Sequence, residues 1–204
     1  MLLDLKKLIN KWDIKITGLA QFGANTGQEV PLFESLGITN IHLIEPYLPA
    51  FDKLYDTYGD KGYHFYMSAV SNTWEMGEIY VANFNDGQSS SLLKPKIHKE
   101  YYPDIVFDEK QEVQIWPIDE FHFKSDVNFF VFDIQGNELN ALKGATETLK
   151  HIDYIYTEVN REELYENCAM VEDLDNYLTE FRRVETKWKR KGFGDALYIR
   201  KSLL

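Results

Sequence analysis

Short apolar runs alternate along this chain with amphipathic stretches of helical spacing, and turn residues separate them. Leu2, Leu5, Leu8, Ile9 and Trp12 share one helical face, which predicts an N-terminal helix within residues 1–13. Ile14 to Phe22 reads as a first strand that stops at Gly23. A helix follows over Gln28 to Leu36, with Pro31 tolerable only in its first turn. Ile38 to Glu45 reads as a second strand, Leu48 to Tyr58 as a helix, and Tyr63 to Val70 as a third strand.

The alternation then breaks. Residues 76–116 form an insertion with strands expected at Glu78 to Phe84 and Gln111 to Trp116. Between them lie the polar loop Asn85 to Ser91 and an aperiodic segment carrying His98, Tyr101, Tyr102 and Pro103. That segment suits either a substrate loop or a plain surface connection. The regular pattern resumes with a buried strand, Val127 to Phe132, a helix over Asn137 to Leu149 and a strand over Tyr154 to Val159. A helix over Glu172 to Phe181 comes next, then strands at Arg183 to Trp188 and Ala196 to Arg200. The short Gly-containing turn between the last two predicts antiparallel pairing. The whole reads as one α/β domain, residues 1–204, with helices on both faces of a mostly parallel sheet.

Charge and composition narrow the partners. A net charge of −11 argues against a nucleic-acid backbone as ligand and suits a neutral or cationic one. The one basic cluster, Lys187 to Lys191, reads as a solvated turn. Cys168 is the single cysteine, so no internal disulfide forms, which fits a reducing compartment. Asp4 stands where a signal peptide carries positive charge, and no apolar run is long enough to span a bilayer. A cytoplasmic location is expected, with no membrane insertion.

The candidate chemistry lies at strand ends. Phe22-Gly-Ala-Asn-Thr-Gly27 joins a strand to a helix, where glycines let a ligand approach the backbone. Glu45 ends the next strand, roughly 20 residues on, where an acid can accept both hydroxyls of a ribose. The apolar run of the fourth core strand stops at a carboxylate in Val131-Phe-Asp-Ile-Gln-Gly136. A nucleoside-bearing cofactor follows, serving either group transfer or nicotinamide-dependent oxidation. No Tyr-x-x-x-Lys pair supports the latter.

The motifs Gly23-Ala-Asn-Thr-Gly27, Glu45-Pro46, Ser68-Ala-Val-Ser71, Gln88-Ser-Ser-Ser-Leu92, Asp133-Ile-Gln-Gly-Asn-Glu-Leu139, Leu142-Lys-Gly-Ala145, Glu158-Val-Asn160 and Gly194-Asp-Ala-Leu-Tyr198 occur in that order. In this the chain resembles the FkbM family of S-adenosylmethionine-dependent methyltransferases over about residues 14 to 201. The resemblance implies a class I methyltransferase fold: a Rossmann-like seven-stranded, mostly parallel sheet with a C-terminal antiparallel hairpin. It implies that Gln21, Phe22, Gly23 and Asn25 meet the methionine end of S-adenosylmethionine, that Glu45 and Pro46 meet the ribose, and that Ser68 and Ala69 border the adenine. Asp133 would face both cofactor and acceptor, and Ser90, Ser91 and Asn160 would hold the acceptor. Family members typically methylate hydroxyls, so the expected acceptor is a sugar or glycan, with a non-sugar natural product as alternative. A glycosyltransferase in the same longer chain would be a natural companion.

One departure stands out. The family usually carries an acid two positions before the first Gly, and this chain has Gln21. Cofactor affinity is then lower, or Asp133 takes over that contact. Two mechanisms remain open for activating the acceptor hydroxyl. Asp133, Glu158 and Asn160 could hold a divalent cation (Mg or Mn) that binds the oxygen. Alternatively Glu158 is a metal-free base while Asp133 orients the cofactor or a water, and His98 is a third candidate base. Glu138, expected in the first turn of a helix, reads as a structural charge near the dipole, and Gly194-Asp195 as a turn-shaping pair.

Overall fold

The computed structural model describes residues 1–189 and 192–204; the end of the basic cluster, Arg190 and Lys191, lies outside the described residues. The strands are β1 (Leu19–Phe22), β2 (Ile41–Ile44), β3 (His64–Tyr66), β4 (Ala69–Val70) and β5 (Glu75–Val81), then β6 (Glu109–Trp116), β7 (Phe129–Phe132), β8 (Tyr154–Asn160), β9 (Phe181–Trp188) and β10 (Phe193–Arg200). The helices are α1 (Leu5–Trp12), α2 (Val30–Ser35), α3 (Leu48–Tyr58), α4 (His98–Tyr101), α5 (Glu138–Lys143) and α6 (Val171–Tyr177).

Seven strands form one sheet in the order β3-β2-β1-β7-β8-β10-β9. β10 alone runs antiparallel to its neighbours, β8 and β9. Every residue of β1, β2, β7 and β8 is buried, as both-sided helix cover requires. On one face Phe22, Phe130, Phe132 and Ile155 meet Ala141 and Leu142 of α5 and Leu174 of α6. On the other, Leu19, Leu43, Phe129 and Val131 meet Leu5 and Leu8 of α1, Phe33 of α2 and Leu54 of α3. Among the described residues no helix is long and apolar enough to cross a membrane.

Several boundaries differ from the sequence reading for local reasons. The N-terminal helix starts at Leu5 because Asp4 caps it, its side chain accepting the Lys7 N–H at 3.1 Å. Asp13 then ends it in a left-handed conformation, φ 49°, and ladder pairing in β1 begins only at Leu19. The expected third strand is two strands. Tyr66 closes the main sheet, and Ala69 opens a second sheet of order β4-β6-β5 that the insertion builds for itself. The helix expected to reach Leu149 stops at Gly144, where an added Cβ would lie 2.1 Å from the Ser71 carbonyl oxygen. Asp195 lies inside β10, paired opposite Glu158, and not in the hairpin turn.

Phe132 is fully buried and stacks on Phe22 with ring centroids 4.6 Å apart. Phe132→Ala is expected to cost about 3–5 kcal/mol, read as a lowered urea midpoint with unchanged slope.

Candidate functional site

The carboxyl ends of β1, β2, β7 and β8 open onto a cavity of about 720 Å³. It takes its floor from those strand ends and its walls from the insertion and the β9–β10 hairpin. Two chain crossings shape the floor. Gly23, at φ +79°, lies so close to β7 that a Cβ would stand 2.0 Å from the Asp133 carbonyl oxygen. The parallel register of Phe132 with Thr157 then sets Asp133 beside Glu158 on the same face.

At one end of the cavity lie Gly23, Asn25, Glu45, Pro46, Ser68 and Ala69. Glu45 is held from both sides. Its Oε2 accepts the Asn25 N–H and its Oε1 the Tyr47 N–H, each at 2.8 Å. Each oxygen keeps a further lone pair for a ligand hydroxyl. Burial raises this carboxyl to about 7, and the two N–H bonds oppose the shift. Asn25, itself left-handed at φ 46°, donates its side-chain amide to the Asp86 carbonyl at 2.7 Å and ties this end to the insertion loop. The Ser68 hydroxyl is buried in the wall with no partner in the protein. An orphaned hydroxyl beside a paired carboxylate fits the nucleoside end of the expected cofactor.

The middle of the cavity is acidic. The Asp133 side chain opens into it, and Glu158 is buried in its wall. Burial pushes Asp133 up to about 6, with the charge of Glu29 adding to the effect. Burial also holds Glu158 well above the usual carboxylate range, reinforced by the charges of Asp133, Glu138 and Asp195. Gln135 fixes Asp133. Its Nε2 donates to Oδ1 at 2.5 Å, its Oε1 accepts the buried Tyr165 hydroxyl at 2.9 Å, and its carbonyl accepts the Ser91 hydroxyl at 2.8 Å. These bonds hold Gln135 at φ 55°, uncommon for a residue with a side chain. Glu138 lies behind this turn and off the cavity. Its Oε1 accepts the Ile134 and Gly136 N–H groups at 3.2 Å each, so it staples the turn.

The far end is aromatic. His98, Tyr101, Tyr102 and Phe193 line it, with Lys189. His98 is not a solvated loop residue. It opens α4, is buried, and packs its ring against Tyr102, Phe107 and Tyr165 at centroid distances of 5.0–5.4 Å. Ser90 and Ser91 also face the cavity, but their hydroxyls already serve the protein. Ser90 Oγ accepts the Ala82 N–H, and Ser91 Oγ accepts the Leu93 N–H while donating to Gln135.

Three expected site residues lie elsewhere. Phe22 alternates to the opposite face and stacks in the core. Gln21 is buried beneath the cavity, and Asn160 is buried off its wall. The expected metal set therefore loses its third ligand. Among the described residues no group of three or more His, Cys, Asp or Glu side chains is placed to hold an ion. Two carboxylates without a third side-chain ligand fall short of the oxygen set that a divalent cation takes, so the donors present do not fit one. Sequence reasoning missed Glu29, Lys189 and Phe193, which reach the cavity only through the fold. It also missed the part played by Gln135, although that residue sits inside a recognised motif.

Residues 21–192 match the model of the methyltransferase FkbM domain. The 2-O-methyltransferase NoeI of Sinorhizobium fredii is 30% identical over 112 residues, which are 53% of this chain and 46% of that protein. The match thus spans about half the length of that relative. Among solved structures, an NADB-Rossmann superfamily protein from Streptococcus agalactiae is similar with a TM-score of 0.54 at 11% identity, covering 98% of this chain and 69% of that one. An S-adenosylmethionine-dependent methyltransferase from Clostridium acetobutylicum gives 0.53 at 9% identity, covering 96% and 89%. The magnesium protoporphyrin IX methyltransferase of Synechocystis PCC 6803, solved with bound SAM, gives 0.52 at 8%, covering 97% and 78%. At such identities the likeness is one of fold.

The raised Glu45 carboxyl carries a pH signature. Between about pH 4.5 and 7 the folded chain holds a proton on Glu45 that the unfolded chain has lost, so its contribution to stability falls as pH rises. His42, which burial lowers to about 4, works in the other direction. Comparing the wild type with Glu45→Gln by urea unfolding isolates the effect. The wild type is expected to lose stability relative to the variant across that window, and parallel pH profiles would contradict the burial of this carboxyl.

Proposed function

This chain belongs to the FkbM family of methyltransferases, and on that premise we propose that it moves the methyl group of S-adenosylmethionine to a hydroxyl of a sugar or glycan. The observation that carries the reading is the placement of Asp133 and Glu158. They stand side by side between the Glu45 end and the aromatic end of one cavity. The 2-O-methyltransferase among the relatives supports oxygen as the methyl acceptor.

When bound, S-adenosylmethionine supplies an electrophilic methyl group on a sulfonium. The residues supply alignment and a proton acceptor. Glu45 receives the ribose hydroxyls and the Ser68 hydroxyl meets the base. An alcohol becomes a competent nucleophile as its proton leaves. Glu158 takes that proton, because burial makes it a stronger base than an ordinary carboxylate. Asp133, with Oδ1 held by Gln135, presents Oδ2 to the reacting centre. Tyr101, Tyr102 and Phe193 offer flat apolar faces to a sugar ring and keep water from the methyl group. No step passes through a metal.

The test is transfer of radiolabelled methyl groups from S-adenosylmethionine to a panel of methyl glycosides and non-sugar alcohols. Label is expected in the glycosides and to survive EDTA; activity lost to EDTA and restored by magnesium would reinstate a cation. Glu158→Gln is expected to lower turnover about 100- to 10,000-fold while S-adenosylhomocysteine binding stays within about twofold. Glu45→Ala is expected to weaken S-adenosylhomocysteine by about 1.5–3 kcal/mol in calorimetric titration, and an unchanged affinity would displace the ribose from Glu45.

A further inference from the structure

The substitution at position 21 leaves one end of the cofactor without its usual acid. Gln21 cannot supply it. Its side chain is 1% exposed, lies beneath the cavity and carries no charge. Its Nε2 points instead to Glu29, donating to Oε2 at 3.1 Å. Its Oε1 is buried with no partner.

Glu29 is where the charge has gone. It precedes α2 directly, outside every motif, and lines the same cavity as Gly23 and Asp133. Its Oε2 is engaged by Gln21, and the amino nitrogen of Met1 stands 3.6 Å from its Oε1. Its charge also reaches Asp133, where it helps to raise that carboxyl. The amide at position 21 suits the acid at position 29. An acid at position 21 would put a second carboxylate within hydrogen-bond reach of Glu29, and like charges so close cannot both ionise. An amide there holds Glu29 in place without repelling it.

We infer that Glu29 binds the ammonium of the cofactor's methionine moiety, with Gln21 as its positioning residue. This rests on the S-adenosylmethionine reading above and assigns a contact within it. A carboxylate fixed from behind by an amide donor on Oε2 presents Oε1 to a cation that takes the place of the Met1 amino group, without having to be ordered on binding.

The experiment compares two ligands that differ only at that end. S-adenosylhomocysteine carries the amino-acid moiety, and 5′-methylthioadenosine keeps the adenine, ribose and thioether without it. Both are titrated calorimetrically into the full chain and its variants, with thermal melting to confirm folding. Glu29→Gln is expected to weaken S-adenosylhomocysteine about 10- to 100-fold and to leave 5′-methylthioadenosine within about twofold. Glu29→Asp, which keeps the charge and shortens the reach, should show a smaller loss confined to the same ligand. Gln21→Met removes the donor behind Glu29 and should weaken S-adenosylhomocysteine alone. Unchanged S-adenosylhomocysteine affinity in Glu29→Gln overturns the assignment, as does equal loss of both ligands. A wild type that binds neither ligand overturns the cofactor reading beneath it as well.

Discussion

The site depends on one close approach. The chain leaving β1 at Gly23 passes against the chain leaving β7 at Asp133, with no room between them for a side chain. That contact brings two strand ends together at the point where the sheet order turns outward in both directions, toward β2 and toward β8. The crevice of an open parallel sheet forms there. Glu45, one strand away on one side, and Glu158, one strand away on the other, reach the same space because of it. The left-handed turn at Gly23 lets the chain clear Asp133 and still enter α2.

Gathering so many acids in one cavity opposes folding. Burial raises Glu45, Asp133, Glu138 and Glu158 together, and each makes its neighbours harder to ionise. The fold offsets part of this with backbone N–H groups: two on Glu45, two on Glu138, and a side-chain amide on Asp133. The remainder is electrostatic tension that a bound positive charge relieves. A site of this kind is stabilised by its ligand, by the ordinary linkage of binding to folding.

Much of this was legible from local pattern. Largely apolar runs marked the four central strands, because cover on both faces leaves little alternation to misread. Glycine spacing marked the first turn, and the positions of Glu45 and Asp133 just past their strands followed from the apolar runs before them, whereas Glu158 lies within β8. Alternation misled where a motif was carried over residue by residue. Phe22 adjoins Gly23 in sequence but faces the core, and Asn160 shares a motif with Glu158 yet is buried off the wall. The split of the third strand was hidden because Tyr63 to Val70 stays mostly aromatic and apolar while the chain changes sheets at Met67 and Ser68. Glu29, Gln135 and Tyr165 act through contacts that no spacing rule encodes. Tyr165 meets Gln135 across 30 positions of chain.

The second sheet has a consequence for how the molecule can change. β4, β5 and β6 bond to one another, and the ladder that joins them is separate from the seven-stranded one. Their small core of Ala69, Ile79, Val81, Val113 and Ile115 is likewise its own cluster. One wall of the cavity thus hangs on its own ladder, entered at Ser68 and left at Trp116 and anchored to the main core by Val70, while the floor belongs to the main sheet. A change in that wall can therefore reshape the cavity while the ladder of the seven-stranded sheet stays unbroken.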